Sequence, residues 1–370
     1  MQILLTTEGT YPSIMGGVST WCDQLVRGMS DYDYHLLEVT GPLPTEPAYS
    51  LPANVWALTS ARLWTPRAAR SGRGVKAELE FRNGLENLLG FADDDIKSFA
   101  RGLLDLATLG TTVDLWPYFD KPSTWDAVRF AIWRANGEQP PMAEVALSVN
   151  WLKGTLGPLM FIPAVADQAH TTSNGLSAIP AWLAAKAHGI PLMLTEHGLY
   201  LRERYLSLTS EGNPPGMKLL RSRFYLALAR LIYEDADLVV SVSEFNRTWQ
   251  IELGAAAEKT RVVYNGVAPE AFPEAAWHAD QAPTVSWVGR IDPIKDLETL
   301  VRSFTTVTQV APEARLKLFG PVPKGNEAYN AKVRRLVEAL DLSKSVTFEG
   351  PVKPVHTAYH AADVVALSSI

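Results

Sequence analysis

Apolar residues along this chain alternate between short continuous runs and runs at helical spacing. The opening unit reads strand, turn, helix: an apolar run from Ile3 to Thr6 reaching Glu8, a loop through Gly17, then apolar positions at helical spacing from Val18 to Met29. Tyr34 to Thr40 supplies a second strand. From Gly41 the pattern changes, with prolines at 42, 44, 47 and 52 and then a helix-rich stretch in which Leu79 to Phe99 and Trp125 to Trp133 are expected to be helical. Residues 41–160 therefore read as a helical insertion or lid layered on the first domain.

Regular alternation resumes at Ala164-Val165-Ala166. Helices are expected over Ala178 to Ala187, Leu219 to Tyr233 and Glu244 to Leu253, with strands over Leu192 to Thr195, Leu238 to Val242 and Arg261 to Tyr264. A linker rich in proline and alanine, residues 266–283, leads to a second alternation. Strands at Val285, Leu316, Val346 and Val364 are interleaved there with helices near Thr299, from Ala328 to Leu340 and from Val355 to Ala362. Strand and helix in turn imply parallel sheets covered on both faces. The expected class is α/β, with two Rossmann-like domains, 1–265 and 284–370, facing across a cleft and offering ligand sites at the carboxyl ends of their strands.

Composition narrows the partners. At 370 residues the chain exceeds one ordinary core, and 47% hydrophobic with 20% charged residues describes a soluble globular protein. A formal charge of −6 argues against a nucleic-acid partner, which usually meets a net basic face. Cys22 is the only cysteine, so no internal disulfide forms and the cytoplasm is the expected compartment; it reads as a small buried residue on the first helix. The longest apolar stretch, Val145 to Val165, is broken by Lys153, Gly154, Gly157, Pro158 and Pro163, so no span is expected, although peripheral membrane attachment stays open. Asp31-Tyr32-Asp33, Asp93-Asp94-Asp95 and Asp235-Ala236-Asp237 look like metal-binding D-x-D. Each falls at an expected turn or helix end, where aspartate is ordinary, and no metal or other cofactor is expected. The tryptophans at 56, 64, 116, 125, 133 and 151 are assigned to packing rather than to stacking on a carbohydrate.

The candidate chemistry centres on Trp287-Val288-Gly289-Arg290-Ile291-Asp292-Pro293-Ile294-Lys295-Asp296, which sets two cations around a glycine turn after an apolar strand. Arg290 can fork onto phosphate oxygens and Lys295 supplies a compact charge, while the following helix is expected to turn its N-terminal N–H groups toward the same diphosphate. Gly16-Gly17 opens the first helix and can present backbone amides to phosphates, without the G-x-G-x-x-G spacing of nicotinamide enzymes. His197, in Thr195-Glu196-His197-Gly198, follows a strand, so its ring belongs at the sheet's carboxyl edge; Glu196 is a candidate to orient it or to bind a sugar hydroxyl. Arg202, Glu203 and Arg204 read either as an acceptor-side cluster or as a solvated surface turn. His170, before a helix with cap-forming residues, is a secondary candidate.

Gly289-Arg290 with Lys295, preceded by Asn265-Gly266-Val267, resembles the G-R-x-x-x-x-K signature and N-G-V hinge of the retaining nucleotide-sugar glycosyltransferases of family four, which have the GT-B fold. Gly16-Gly17, the Ala236-to-Glu244 segment and Gly320-Pro321 add to the resemblance. Glu8-Gly9-Thr10-Tyr11-Pro12, Thr195-Glu196-His197-Gly198-Leu199-Tyr200 and Pro293-Ile294-Lys295-Asp296 are similar to the cytosolic branch that serves the Pel exopolysaccharide system. The resemblance implies transfer of a hexose from a nucleotide diphosphate sugar, UDP-glucose in that branch, to a glycan or lipid-linked acceptor, with peripheral contact to a membrane synthesis complex. It implies His197 beside the transferred sugar, and Gly16, Gly17, Gly289, Arg290, Lys295, Gly320 and Pro321 around the donor. It also implies front-face departure, with the leaving phosphate taking the acceptor proton. The family's S-E-G-F-P and E-x7-E segments would follow Ile370, so the second domain is expected to be partial and the chain as given weakly active. A non-catalytic scaffold and a nucleotide-sugar epimerase of the same architecture are the alternative readings.

Overall fold

The computed structural model describes residues 1–41, 46–66, 75–274 and 282–370. Prolines 42 and 44 and residues 275–281 of the expected linker lie outside the described residues. The chain divides into two compact units, Met1–Asn265 and Gly266–Ile370.

In the first unit the strands are β1 (Gln2–Glu8), β2 (Asp33–Thr40), β3 (Val55–Arg62), β4 (Gln168–Thr171), β5 (Leu192–Glu196), β6 (Leu238–Ser241) and β7 (Thr260–Val262). They form one parallel sheet in the order β3-β2-β1-β4-β5-β6-β7. The strand order reverses at β1, whose two neighbours are β2 and β4. In β1, Ile3 and Leu5 pack into a cluster with Tyr11, Cys22, Val26 and Leu36, while Leu4 joins the larger core on the opposite face, so the strand is buried on both sides.

The helices are α1 (Gly17–Gly28), α2 (Val75–Leu88), α3 (Ile96–Leu109), α4 (Pro122–Asn136), α5 (Met142–Leu156), α6 (Ala178–His188), α7 (Tyr200–Ser210), α8 (Pro215–Asp235) and α9 (Glu244–Glu252). Two sequence expectations change here. The stretch 41–160 is not wholly an insertion, because β3 lies within it and extends the main sheet beside β2. Its helices are not a detached lid either: Phe81, Phe91, Phe99 and Trp151 share one continuous core with Leu4, Leu37 and Phe224. The stretch expected to be helical from Leu79 to Phe99 is two helices joined by a 3-10 turn, Leu89–Asp93. The aspartate run breaks it. Asp94 takes a left-handed conformation, and the Asp95 carboxylate accepts the Ser98 N–H at 3.0 Å, starting a new helix rather than continuing the old one.

The second unit is built from β8 (Thr284–Val288), α10 (Leu297–Val310), β9 (Arg315–Phe319), α11 (Glu327–Ala339), β10 (Val346–Gly350), α12 (His356–His360) and β11 (Val364–Ala366). Its strands pair in parallel in the order β10-β9-β8-β11, around a core of Trp287, Leu297, Val301, Phe304, Leu316, Leu318 and Val333.

Candidate functional site

Within the first unit, the carboxyl ends of β1, β4 and β5 surround a cavity of about 210 Å3 at the point where strand order reverses, the usual ligand position in doubly wound sheets. Glu8 and Thr10 reach it from β1, Thr172 and Ser173 from β4, and His197 and Gly198 from β5. Val18 of α1 and Tyr200, Glu203 and Arg204 of α7 complete the wall.

His197 sits at the sheet's carboxyl edge with both ring nitrogens buried and without a hydrogen-bonding partner. Its ring meets Trp21 of α1 edge-on, with centroids 4.7 Å apart, and burial lowers its pKa to about 4, so the imidazole is neutral near pH 7. His170 is buried behind it and shares a 2.8 Å hydrogen bond with the Thr195 hydroxyl; burial, followed by the proximity of His197, brings it to about 4 as well. It is not on the cavity wall.

Glu196, the candidate to orient His197 or to bind a sugar hydroxyl, lies in a buried hydrogen-bond network. Only 1% exposed, it accepts the Tyr200 N–H at 3.1 Å, the Tyr233 hydroxyl at 2.7 Å and the Gln250 side-chain amide at 3.0 Å. This network ties the end of β5 to α7, α8 and α9 and fixes the backbone that carries His197. Burial raises the Glu196 pKa, partly offset by those donors.

The Arg202-Glu203-Arg204 triplet separates. Arg202 is exposed and off the wall, whereas Glu203 and Arg204 line the cavity and the Arg204 guanidinium lies 5.0 Å over the Tyr200 ring. Glu8, absent from the sequence-based site, belongs with them. Its carboxylate accepts the Tyr200 hydroxyl at 2.6 Å and the Ser177 N–H at 3.3 Å, and burial raises its pKa against those hydrogen bonds and the pull of Arg204. Trp21 was also missed; the signal for it was its place one helical turn beyond Gly17, at the glycine-pair end of α1.

Gly16 and Gly17 are exposed at the start of α1. Gly16 has an extended φ of 175°, no side chain caps the helix, and a Cβ built at either position meets nothing within 4 Å. Neither conformation nor packing inside the chain requires glycine there.

In the second unit the Gly289–Asp296 loop is shaped by two aspartates. Asp292 accepts the Ile294 N–H and Asp296 accepts the Thr299 N–H, both at 3.2 Å. Asn326 braces the loop through the Ile291 carbonyl and the Asp292 carboxylate. Arg290 is exposed and Lys295 partly exposed, and among the described residues neither forms an ion pair. The N-terminal amides of α10 are less available than the sequence suggested: Thr299 N–H goes to Asp296 and Leu297 N–H to the Tyr329 hydroxyl at 3.1 Å. Gly320 and Pro321 stitch β9 to this loop. Gly289 donates to Phe319, Ile291 to the Pro321 carbonyl and Gly320 to Gly350, each at 2.9 Å. At φ +140° a Cβ on Gly320 would lie 1.7 Å from the Gly289 carbonyl oxygen, so glycine is required by a close backbone approach.

In two of the D-x-D segments the carboxylates make internal contacts. Asp93 pairs with Arg134, Asp94 with Arg230 at 2.8 Å, Asp235 with Lys186 at 3.0 Å and with the Trp182 indole, and Asp237 accepts the Leu192 N–H. Of the tryptophans assigned to packing, Trp151 is in the core and Trp125 lies against it, while Trp56, Trp64 and Trp133 are exposed; none lines the cavity.

Comparison with known proteins places both units. Residues 1–258 match the family described as "Domain of unknown function (DUF3492)", and residues 282–370 match "Glycosyl transferases group 1". The D-inositol 3-phosphate glycosyltransferase of Stackebrandtia nassauensis is 28% identical over 68% of this chain and 53% of its own length. That of Kineococcus radiotolerans is 26% identical over 64% of this chain and 62% of its own. The chain thus spans somewhat over half the length of these curated relatives. Among solved structures, Anabaena Alr3699/HepE in complex with UDP and glucose superposes with a TM-score of 0.57 at 15% identity, covering 99% of this chain and 74% of that one. Sucrose-phosphate synthase from Thermosynechococcus elongatus gives 0.56 at 18% identity, covering 100% and 75%. These likenesses concern the fold, two parallel-sheet units of GT-B type. No helix among the described residues is long and apolar enough to cross a membrane. The chain belongs to the DUF3492 family, and its second unit matches glycosyl transferases group 1.

Proposed function

We propose that this chain is a retaining glycosyltransferase that moves a hexose from a nucleotide diphosphate sugar to a glycan or lipid-linked acceptor. The observation that carries this reading is the pair of accessible cations, Arg290 and Lys295, which have no ion-pair partner among the described residues and flank the capping aspartates of the Gly289 loop in the unit that matches glycosyl transferases group 1. Charge developing on a leaving diphosphate would be neutralised there by preorganised donors, with no metal required. UDP-glucose is the proposed donor, supported by the resemblance and by the UDP and glucose named for the Anabaena structure.

In the first unit, neutral His197 offers one donor and one acceptor to a sugar hydroxyl, and the open glycine pair at the uncapped start of α1 leaves backbone amides accessible to an anion. Bond cleavage would generate an oxocarbenium-like centre, and the leaving phosphate oxygen would take the acceptor proton, so no protein base is assigned. The Pel-like motifs point to exopolysaccharide synthesis at the inner face of a membrane, with the protein in the cytoplasm. The test is UDP release from UDP-glucose, with the anomeric configuration of the product read by proton NMR. Retention supports the proposal; inversion, or no UDP released above the uncatalysed rate, overturns it.

A further inference from the structure

A helix lying on a globular body normally buries residues at i, i+3 or i+4, and i+7. In α7 that stripe is interrupted. Leu201 and Leu208 are buried, no side chain between them is, and Arg204 stands at the middle position of their face. Arg204 instead lines the cavity, with its guanidinium 5.0 Å over the Tyr200 ring and its Nε without a hydrogen-bonding partner among the described residues. The arginine that faces the cavity thus leaves the helix without a central apolar anchor.

Two carboxyl groups at strand ends hold the first turn of α7 in its place. Glu196, at the end of β5, accepts the Tyr200 N–H at 3.1 Å, and Glu8, at the end of β1, accepts the Tyr200 hydroxyl at 2.6 Å. Glu8 also accepts the Ser177 N–H at 3.3 Å, so one side chain ties α7 to the residue that precedes α6. Gly175 makes room for this contact: a Cβ there would lie 2.3 Å from the Tyr200 ring and 2.6 Å from Glu8 Oε2. A glycine after β4, a carboxyl group on β1 and a phenol on α7 therefore meet at one point. Glu203, beside Arg204, also lines the cavity and is carried by the same turn. We infer that Glu8 is a positioning residue, which latches Tyr200 and through it sets Arg204 and Glu203 on the cavity wall. The inference rests on the glycosyl-transfer reading for the reaction it serves, and Glu8 is assigned no contact with the reacting atoms.

Two measurements on the whole chain test it: amide hydrogen exchange read by mass spectrometry, and steady-state UDP release from UDP-glucose. Tyr200→Phe keeps the ring and removes the hydroxyl, whereas Gly175→Ala drives ring and carboxyl apart while leaving both groups intact. Each is expected to speed exchange across residues 203–208 about tenfold, the opening that one lost hydrogen bond allows, with β5 and α8 unchanged. Each should lower kcat about tenfold and leave the KM for UDP-glucose within about twofold, since a displaced wall disturbs orientation rather than nucleotide binding. Glu8→Ala should behave like Tyr200→Phe. Glu8→Gln should keep kcat within about threefold of the wild type, because a tyrosine hydroxyl both donates and accepts and so pairs with either end of an amide. Tyr205→Phe, the same change elsewhere on α7, should alter neither reading. Unchanged exchange in both Tyr200→Phe and Gly175→Ala, wild-type kcat despite faster exchange, or a KM that rises as far as kcat falls would overturn the inference. So would a Glu8→Gln variant as slow as Glu8→Ala. The expected exchange pattern in a wild-type chain that releases no UDP would remove the transfer reading and the positioning role with it, whereas turnover without that pattern would remove the latch and leave transfer.

Discussion

Two glycine turns, each opening onto a helix, solve different problems in this molecule. The Gly16-Gly17 turn precedes a helix that no side chain caps, and both glycines face open space. The Gly289 turn precedes a helix capped by Asp296 and is pressed against Gly320, backbone on backbone. The first leaves its amides without a side-chain cap and the second engages those of Leu297 and Thr299, so in the second unit the side chains of exposed Arg290 and partly exposed Lys295 are the groups better placed to meet an anion. A glycine in a motif is therefore not evidence of ligand contact until its own neighbours are known.

The sharpest way to break this comparison is a pair of alanine substitutions. Gly320→Ala forces a Cβ into the Gly289 carbonyl at a φ that L residues rarely adopt, and should cost about 3–5 kcal/mol of stability. Gly16→Ala should stay within about 0.5 kcal/mol by thermal or urea denaturation. Similar losses in both would mean that the two turns do not differ as described.

Next in size, Arg290→Ala and Lys295→Ala should each weaken UDP binding by about 1.5–3 kcal/mol, roughly tenfold to a hundredfold, with little change in melting temperature. Calorimetric titration reads the affinity directly. Unchanged affinity in both variants would take these cations out of the site.

The smallest effect concerns pH. His197 and His170 titrate near 4 in the folded chain against an ordinary value of 6.5, so the folded state binds fewer protons between those values. Their contribution is complete above about pH 6.5 and is lost as pH falls toward 4. Glu8 and Glu196, raised by burial, contribute with the opposite sign as pH climbs above 4.5. His197→Phe isolates the histidine part: the fall in melting temperature between pH 6.5 and 4 should be shallower than in the wild type. An unchanged slope would place the folded-state titration of His197 near its ordinary value.

Much of the fold was legible in the sequence because short apolar runs and helical spacing alternate cleanly from Ala178 onward, and each expected strand there lies in one of the two sheets. The stretch 41–160 was harder. Prolines masked β3, whose edge position leaves it with alternating exposure rather than a continuous apolar run, and helical periodicity cannot by itself reveal the break that Asp94 and Asp95 impose. A candidate site can be picked out in the sequence where one local segment carries its chemistry, as around Gly289 and Lys295. Glu8 escaped because its partner Tyr200 is 192 residues away, brought near only by pairing β1 with β4 and β4 with β5. The partners of Glu196 escaped for the complementary reason: its three donors come from α7, α8 and α9, and nothing near it in sequence shows that it is engaged with them.

The most direct test of the central claim, that the first unit's cavity handles sugar while the second unit's cations hold the diphosphate, is to measure UDP affinity and UDP-glucose turnover on one protein, His197→Ala. The account predicts that turnover falls at least tenfold while UDP affinity and melting temperature stay within error of the wild type. Equal losses in turnover and affinity, or unimpaired turnover, would contradict it.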